Sequence, residues 1–303
     1  MPAMSNDNQS AVAVPQPVAS QKPHRSPSQL NTYFRCGEFW RRYYLENERY
    51  PANLGMLKGT GMHRGAQYNF EQKIESHADL PMAQIVDAAV AAYDSELSKG
   101  VTLTDDEAAM GPGVATGQAR DDVARLAAAF SHMQAPDYQP IAVEKMVRIP
   151  VPRGTHDLLG IMDMVAYDLS QNRKLVVNDF KNSKRKKTAT DAAESTQLTF
   201  YAAAHQVEYG EPAAEVRLDV LVLTKTKGVQ RQVLAEQRDK ADFQVLANRL
   251  NVMEQGVKAG VFLPAMPGSW WCSKNSCPYW ANHSCAFVNS QRIEAAREAE
   301  DAT

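Results

Sequence analysis

Asp179-Phe180-Lys181 closes the apolar run Leu175-Val176-Val177, and Asp163 stands a short way upstream in Gly160-Ile161-Met162-Asp163. Valine and phenylalanine favour a pleated surface, and an apolar run this short with charged ends reads as a strand. Alternate strand residues share a face, so Asp179 and Lys181 point one way and Phe180 points into the opposite layer. A carboxylate beside an ammonium is either an ion pair or half of a metal-assisted hydrolytic site. Two carboxylates with few protein nitrogens nearby suit a hard cation such as Mg²⁺ or Mn²⁺. Such an ion polarises a phosphodiester oxygen and lowers the pKa of a bound water, while a lysine holds that water or offsets developing charge. Gly160 either lets a substrate backbone come close or marks a bulge.

For Asp163 and Asp179 to meet, 157–168 and 173–181 must form a hairpin, and Ser170-Gln171-Asn172 is a turn of suitable length. Before it, 141–151 alternates Ile141, Val143, Lys145, Val147 and Ile149. Glu144 falls on the other side, as an outer carboxylate of the site or a strand-edge surface acid. Beyond the hairpin come a helix over 190–209, an apolar strand from Val216 to Leu223 with 229–235 as its partner, and a helix over 237–259 that stops at Gly260. The N-terminal third is helical. Ser26-Pro27-Ser28-Gln29 is a capping-box start for a helix that carries Cys36. A second helix, 59–75, is entered through Gly59-Thr60-Gly61 and carries His63; others cover 82–98 and 115–134, with an acidic loop from Thr104 to Gly113 between them. This order predicts an α/β fold, a mixed central sheet flanked by helices.

The net charge of -2 over 303 residues gives no overall basic excess, so nucleic-acid binding must rest on a local patch. Lys184-Arg185-Lys186-Lys187, directly after the Asp179 strand, is such a patch or a solvated loop. No apolar run approaches the roughly 18 residues of a membrane span, and no secretory signal is evident. An intracellular, cytoplasmic location follows as an expectation, with disulfides uncommon. Residues 1–25 read as a disordered tail and 288–303 as a polar, frayed helix. Cys36, taken alone, reads as a small buried hydrophobe.

Gly160-x-x-Asp163, Asp179-x-Lys181 and Gln197-x-x-x-Tyr201, in this order, resemble the PD-(D/E)XK nuclease superfamily. They resemble in particular its RecB-type branch, which includes CRISPR-adaptation nucleases and the nuclease domain of AddB. The resemblance spans 26–287 and implies one restriction-endonuclease-like nuclease domain with a helical insertion at 76–135 and a cysteine-rich segment at 264–287. It implies that His63 joins Asp163 and Asp179 as a ligand of Mg²⁺ or Mn²⁺, with the carbonyl of Phe180 as a further ligand. Lys181 would assist the attacking water. Gln197 and Tyr201, four apart and so on one helical face, would place the DNA.

One early cysteine, Cys36, and three late ones, Cys272, Cys277 and Cys285, match the split of the branch's iron–sulfur members. Trp270-Trp271 and Cys277-Pro278-Tyr279 resemble their late cysteine segment, though the cysteine spacing here is wider. A 4Fe–4S cluster would clamp the N-terminal to the C-terminal segment. Four thiolates also suit Zn²⁺, without a Cys-x-x-Cys knuckle to favour it, and two disulfides are the third option. The activity implied is that of a metal-dependent DNA exonuclease acting on single-stranded or free ends in repair, recombination or related processing. A protein partner in a repair, recombination or CRISPR-type complex fits the same reading. A reading of a different class is a DNA-end-binding or partner-recruiting module, which would bind DNA and yield no products under Mg²⁺ or Mn²⁺. His156, Asp157, His205 and His283 have no assigned role.

Overall fold

The computed structural model describes residues 22–224, 226–266 and 268–301; most of the expected tail, 1–21, lies outside them. The tail ends sooner than its composition implies. His24–Arg25 form a short strand, β1, parallel to Asp157 and Leu158. It is tied down by Asp157 N–H donating to the Pro23 carbonyl and Arg148 donating to that of Lys22.

Helix α1 (Pro27–Arg35) starts on the Ser26/Gln29 capping box, as its sequence predicts. It does not run through Cys36. That residue is extended (φ -159°, ψ 100°) and its sulfur caps the next helix, α2 (Gly37–Trp40), by accepting from Phe39 N–H. The break lets the chain at Phe262-Leu263 cross: Gly37 N–H donates to the Leu263 carbonyl, and a Cβ on Gly37 would lie 2.8 Å from Leu263 N. Helix α3 (Leu54–Ser76) begins at an Asn53 cap, so Gly59 and Gly61 lie inside it and are not its entry. Gly61 and Gly65 face α4 (Met82–Leu97), where added Cβ atoms would come within 2.8 Å of the Ala89 carbonyl and 2.9 Å of the Ala89 Cβ. The expected acidic loop contains α5 (Asp105–Met110), started by a Thr104/Glu107 capping box, and α6 (Pro112–Met133) follows.

Strands β2 (Tyr138–Ile149), β3 (Asp157–Asp168) and β4 (Lys174–Ser183) run antiparallel in sequence. The expected helix over 190–209 is two, α7 (Ala189–Ala193) and α8 (Thr196–Tyr209), because Ser195 caps the second. Strand β5 (Glu215–Thr224) then lies parallel to β4 and pairs with β6 (Gly228–Glu236) as a hairpin. Helix α9 (Lys240–Lys258) and the short α10 (Pro278–Ala281) and α11 (Ser290–Asp301) complete the chain.

The sheet is mixed and carries a core on each face, as the expected restriction-endonuclease-like architecture requires. On one side Phe70 of α3 and Phe130 of α6 pack on Phe180 and Leu221. On the other, Leu30, Leu198 and Leu250 pack on Val165, Val177 and Val220. The helices within 76–135 thus supply Ile85, Ala89, Val123 and Phe130 to a core of the sheet. Among the described residues no helix is long and apolar enough to cross a membrane.

The two chain ends meet through polar contacts. Tyr279 Oη donates to the Glu48 carbonyl, Arg42 to the carbonyl and hydroxyl of Ser284, and Ala265 N–H to the Cys36 sulfur. All four cysteines are free thiols. No three of their sulfurs come within 4.8 Å of one another, although Cys272 and Cys277 each feel Cys36 and Cys285 electrostatically, which adds to the effect of burial in raising both thiols.

Candidate active site

The site forms where two strands part. The pairing of β3 with β4 ends at Met164 and Asn178, so Asp163 and Asp179 are the next residues on each strand. β4 continues beside β5 as far as Ser183, while the far end of β3 takes β1 as its partner. Phe180 N–H, which has left the β3 ladder, donates to Asp163 Oδ2 at 3.0 Å. A carboxylate thus takes the place of a backbone carbonyl.

The β2–β3 pair changes at the same level. Val143 pairs with Met164 and Lys145 with Met162; Glu144 and Asp163 lie between, opposite each other. Leu158 and Met162 pack in the same core as Val165, and Val147 in the same core as Ala142, so both strands exchange their faces here. Glu144 takes φ 48°, a left-handed conformation that a non-glycine residue adopts at a cost of about 1 kcal/mol or more.

His63 reaches this point from α3. Its Nδ1 lies 3.5 Å from Asp163 Oδ2, and single ligand atoms of His63, Glu144 and Asp163 all lie within 4.8 Å of one another. From the opposite layer, Tyr201 Oη donates to Asp163 Oδ1 at 2.6 Å, and Gln197 Nε2 donates to Tyr201 Oη at 2.8 Å. Gln197 Oε1 is 3.4 Å from Lys181 Nζ. Asp179 is fully buried; Lys181 Nζ stands 2.7 Å from its Oδ1, and its Oδ2 has no hydrogen-bond donor among the described residues.

Charge is arranged unevenly. Burial pushes Asp179 up to about 7; nearby Asp163 adds to this and Lys181 opposes it. Burial and Asp163 together push Glu144 up to about 7 as well. Burial would pull Lys181 down, but Asp179 and Asp163 more than offset it, so the ammonium persists. Burial holds His63 below its usual range, against the pull of Asp163, and so favours the neutral imidazole. The Phe180 carbonyl faces that ring. Tyr201, raised well above its ordinary value by burial and Asp163, stays a phenol and a donor.

This donor set fits a divalent cation. It has one neutral imidazole, carboxylates crowded enough to resist ionising together, and a buried carboxylate oxygen with no donor. The closest set is His63, Glu144 and Asp163; Asp179 stands outside it, against Lys181. Seven residues expected at the site therefore converge: His63, Asp163, Asp179, Phe180, Lys181, Gln197 and Tyr201. Cys36, Cys272, Cys277 and Cys285 make none of these contacts; Cys36 instead caps α2 and accepts from Ala265 N–H.

The site opens into a cleft of about 800 Å³ that Met56, Thr60, Arg64, Gln67 and Asn182 help to line. Sequence reasoning passed over these. The signal was the α3 period itself, since 56, 60, 63 and 67 recur at helical spacing around His63. Gly160 does not admit a substrate: the Phe200 ring covers it, and a Cβ there would lie 2.7 Å from Phe200 Cε1. His156 pairs with Glu254, His205 with the Glu211 carbonyl, His283 with Ser290, and Asp157 with Arg148.

The family model of the PD-(D/E)XK nuclease superfamily matches residues 24–282. No curated protein sequence matches the chain. Among solved structures, a candidate exonuclease from Eubacterium rectale is similar at a TM-score of 0.45 and 12% identity, over 82% of this chain and 86% of its own. The protein SSO0001 is similar at a TM-score of 0.34 and 16% identity, over 70% of this chain and 95% of its own.

Proposed function

The chain belongs to the PD-(D/E)XK nuclease superfamily, and from that premise we propose that it hydrolyses DNA phosphodiesters as a RecB-type exonuclease acting on single-stranded ends, in DNA repair, recombination or related processing. The observation that carries this is the convergence of His63, Glu144, Asp163, Asp179 and Lys181 where β3 and β4 part. His63, Asp163 and Glu144, with Asp179 and the Phe180 carbonyl at hand, would hold Mg²⁺ or Mn²⁺. When bound, the ion supplies Lewis acidity and an acidic water.

The chain's own groups do the remaining work. Tyr201 and Phe180 N–H fix the two oxygens of Asp163, and Gln197 links Tyr201 to Lys181. Lys181, kept charged by Asp179, is suited to orient the attacking water and to offset charge on the phosphate rather than to act as a base. Lys184, Arg185 and Lys186 follow β4 as exposed residues and would attract the strand.

For the four cysteines we propose a 4Fe–4S cluster. What supports this reading is the split of one early and three late cysteines, with Arg42, Tyr279 and Ala265 joining the two chain ends beside them. Anaerobic purification should give a brown protein with iron and sulfide, whereas a colourless protein with one zinc would replace the cluster.

The nuclease reading is tested by digesting end-labelled single- and double-stranded DNA with Mg²⁺ and with Mn²⁺. Lys181→Ala should abolish cleavage while DNA binding persists. Unchanged turnover in that variant, or binding by the intact chain with no products under either metal, would refute the assignment.

A further inference from the structure

Away from the cleft, the C-terminal segment displays a stack of flat groups that core packing does not explain. The guanidinium of Arg35, the last residue of α1, lies over Trp271 at 3.1 Å from the ring centroid. Trp271 and Trp270 are stacked, with centroids 3.6 Å apart and planes 27° from parallel. Trp270 remains 67% exposed, so its outer surface is open to solvent. Beside Arg35 in the chain, Phe34 is 40% exposed, with the guanidinium of Arg249 4.8 Å from its centroid. Arg35 is exposed, and no carboxylate pairs with it or with Arg249 among the described residues.

An indole this exposed gives little hydrophobic stability, and its ring is already oriented by the Trp271 stack beneath it. A flat, preordered aromatic face at the end of a stack that has Arg35 on its other side, with Arg249 on the neighbouring Phe34, matches a nucleotide, whose base stacks and whose phosphate carries the opposite charge. In a duplex the base faces are covered by their neighbours, so the complementary ligand is an unpaired strand.

We propose that this surface is a second contact for single-stranded DNA: a base stacks on Trp270, and Arg35 and Arg249 take the adjoining phosphates. The proposal rests on the reading of the chain as acting on DNA, and it adds a contact that the catalytic residues do not make. A surface built for a protein partner would not require base faces, which gives the discriminating test.

Binding of fluorescein-labelled oligo(dT) to the full chain, with no divalent metal added, is measured by anisotropy. Base–aromatic stacking predicts roughly tenfold weaker binding for Trp270→Ala, and binding within about threefold of the original for Trp270→Phe, which keeps a ring. Arg35→Ala should reduce the slope of log affinity against log salt by about one. A strand of equal length with every base removed should bind Trp270→Ala and the unaltered chain equally. The proposal is overturned if Trp270→Ala binds oligo(dT) normally, if it loses as much affinity for the base-free strand, or if the unaltered chain binds neither. Hydrolysis of bis(p-nitrophenyl) phosphate with Mn²⁺, a diester without a base, separates the two readings. Full activity there in Trp270→Ala keeps the catalytic assignment whatever becomes of the platform; no activity in the unaltered chain counts against the catalytic assignment and not against the platform.

Discussion

Asp179→Asn should make the metal-free protein more stable while weakening its response to metal. The carboxylate is fully buried, and burial pushes it up to about 7 from an ordinary 3.8, helped by Asp163 and opposed by Lys181. A buried acid whose folded pKa is raised holds its proton in the folded state after the unfolded chain has released it. Stability therefore falls as pH rises from about 4 to about 7. Above pH 7 the whole penalty is present, and a shift of about three units corresponds to an upper bound of about 4 kcal/mol. Asparagine keeps the shape and lifts that penalty, but it also leaves Lys181 without the anion 2.7 Å away. The net gain expected is about 1–3 kcal/mol at pH 8, shrinking towards pH 4. The assay is urea unfolding in EDTA at pH 5 and pH 8, repeated with Mn²⁺. With Mn²⁺ the advantage should shrink or reverse, because the ion gains a further carboxylate only in the chain that retains Asp179. An Asn variant less stable than the original at pH 8 in EDTA, or one that gains equally at both pH values, would refute the account of a strained, metal-ready carboxylate.

Tyr201→Phe removes the 2.6 Å donor to Asp163 Oδ1; Mn²⁺ binding measured by calorimetry should weaken about 10- to 100-fold, and an unchanged affinity would show that the hydroxyl does not orient the ligand. Gly160→Val drives a side chain into the Phe200 ring; the urea midpoint should fall by an amount equal to about 1–3 kcal/mol with metal affinity intact, and a normal midpoint would contradict the packing role. The rise in melting temperature produced by Mn²⁺ should be larger at pH 8 than at pH 6, because Asp179 and Glu144, both pushed up to about 7, must release protons to bind the ion. An equal rise at both would place the ion elsewhere.

The parts of the site that lie on regular strands were legible from residue order alone. Alternation put Asp179 and Lys181 on one face and Phe180 on the other, and a short turn made a hairpin that brings Asp163 to the level of Asp179. The Ser26/Gln29 capping box was legible because its hydrogen bonds are local. The same Thr-x-x-Glu signal at Thr104 and Glu107 was present, but acidic residues, glycine and proline around it read as a loop. Glycines misled where their reason is tertiary: Gly61 is small so that α4 can approach, and Gly160 so that Phe200 can lie over it. Neither neighbour is near in sequence. Cys36 read as a helical residue because nothing local shows the chain at Leu263 crossing above Gly37.

Glu144 shows most clearly what pattern reading cannot supply. Alternation along β2 places it on one side of a strand, as a surface acid or an outer carboxylate with equal reason. The strand does not keep its alternation: Ala142 and Val147 face one core, although their positions differ by an odd number. The reversal falls at Glu144, whose φ of 48° turns the chain, and opposite it β3 reverses between Met162 and Val165. Two reversals at one level keep the ladder in register on both sides, since Lys145 still meets Met162 and Val143 still meets Met164. The consequence for Asp163 is direct. A carboxylate on an unbroken strand would face a single layer. At the crossover it meets His63 from the α3 layer and Tyr201 from the α8 layer, with Phe180 N–H in the gap between strands. The strain at Glu144 and the convergence on Asp163 are thus one feature of the backbone, and it is this feature that turns a hairpin with two aspartates into a pocket with a metal-ligand set.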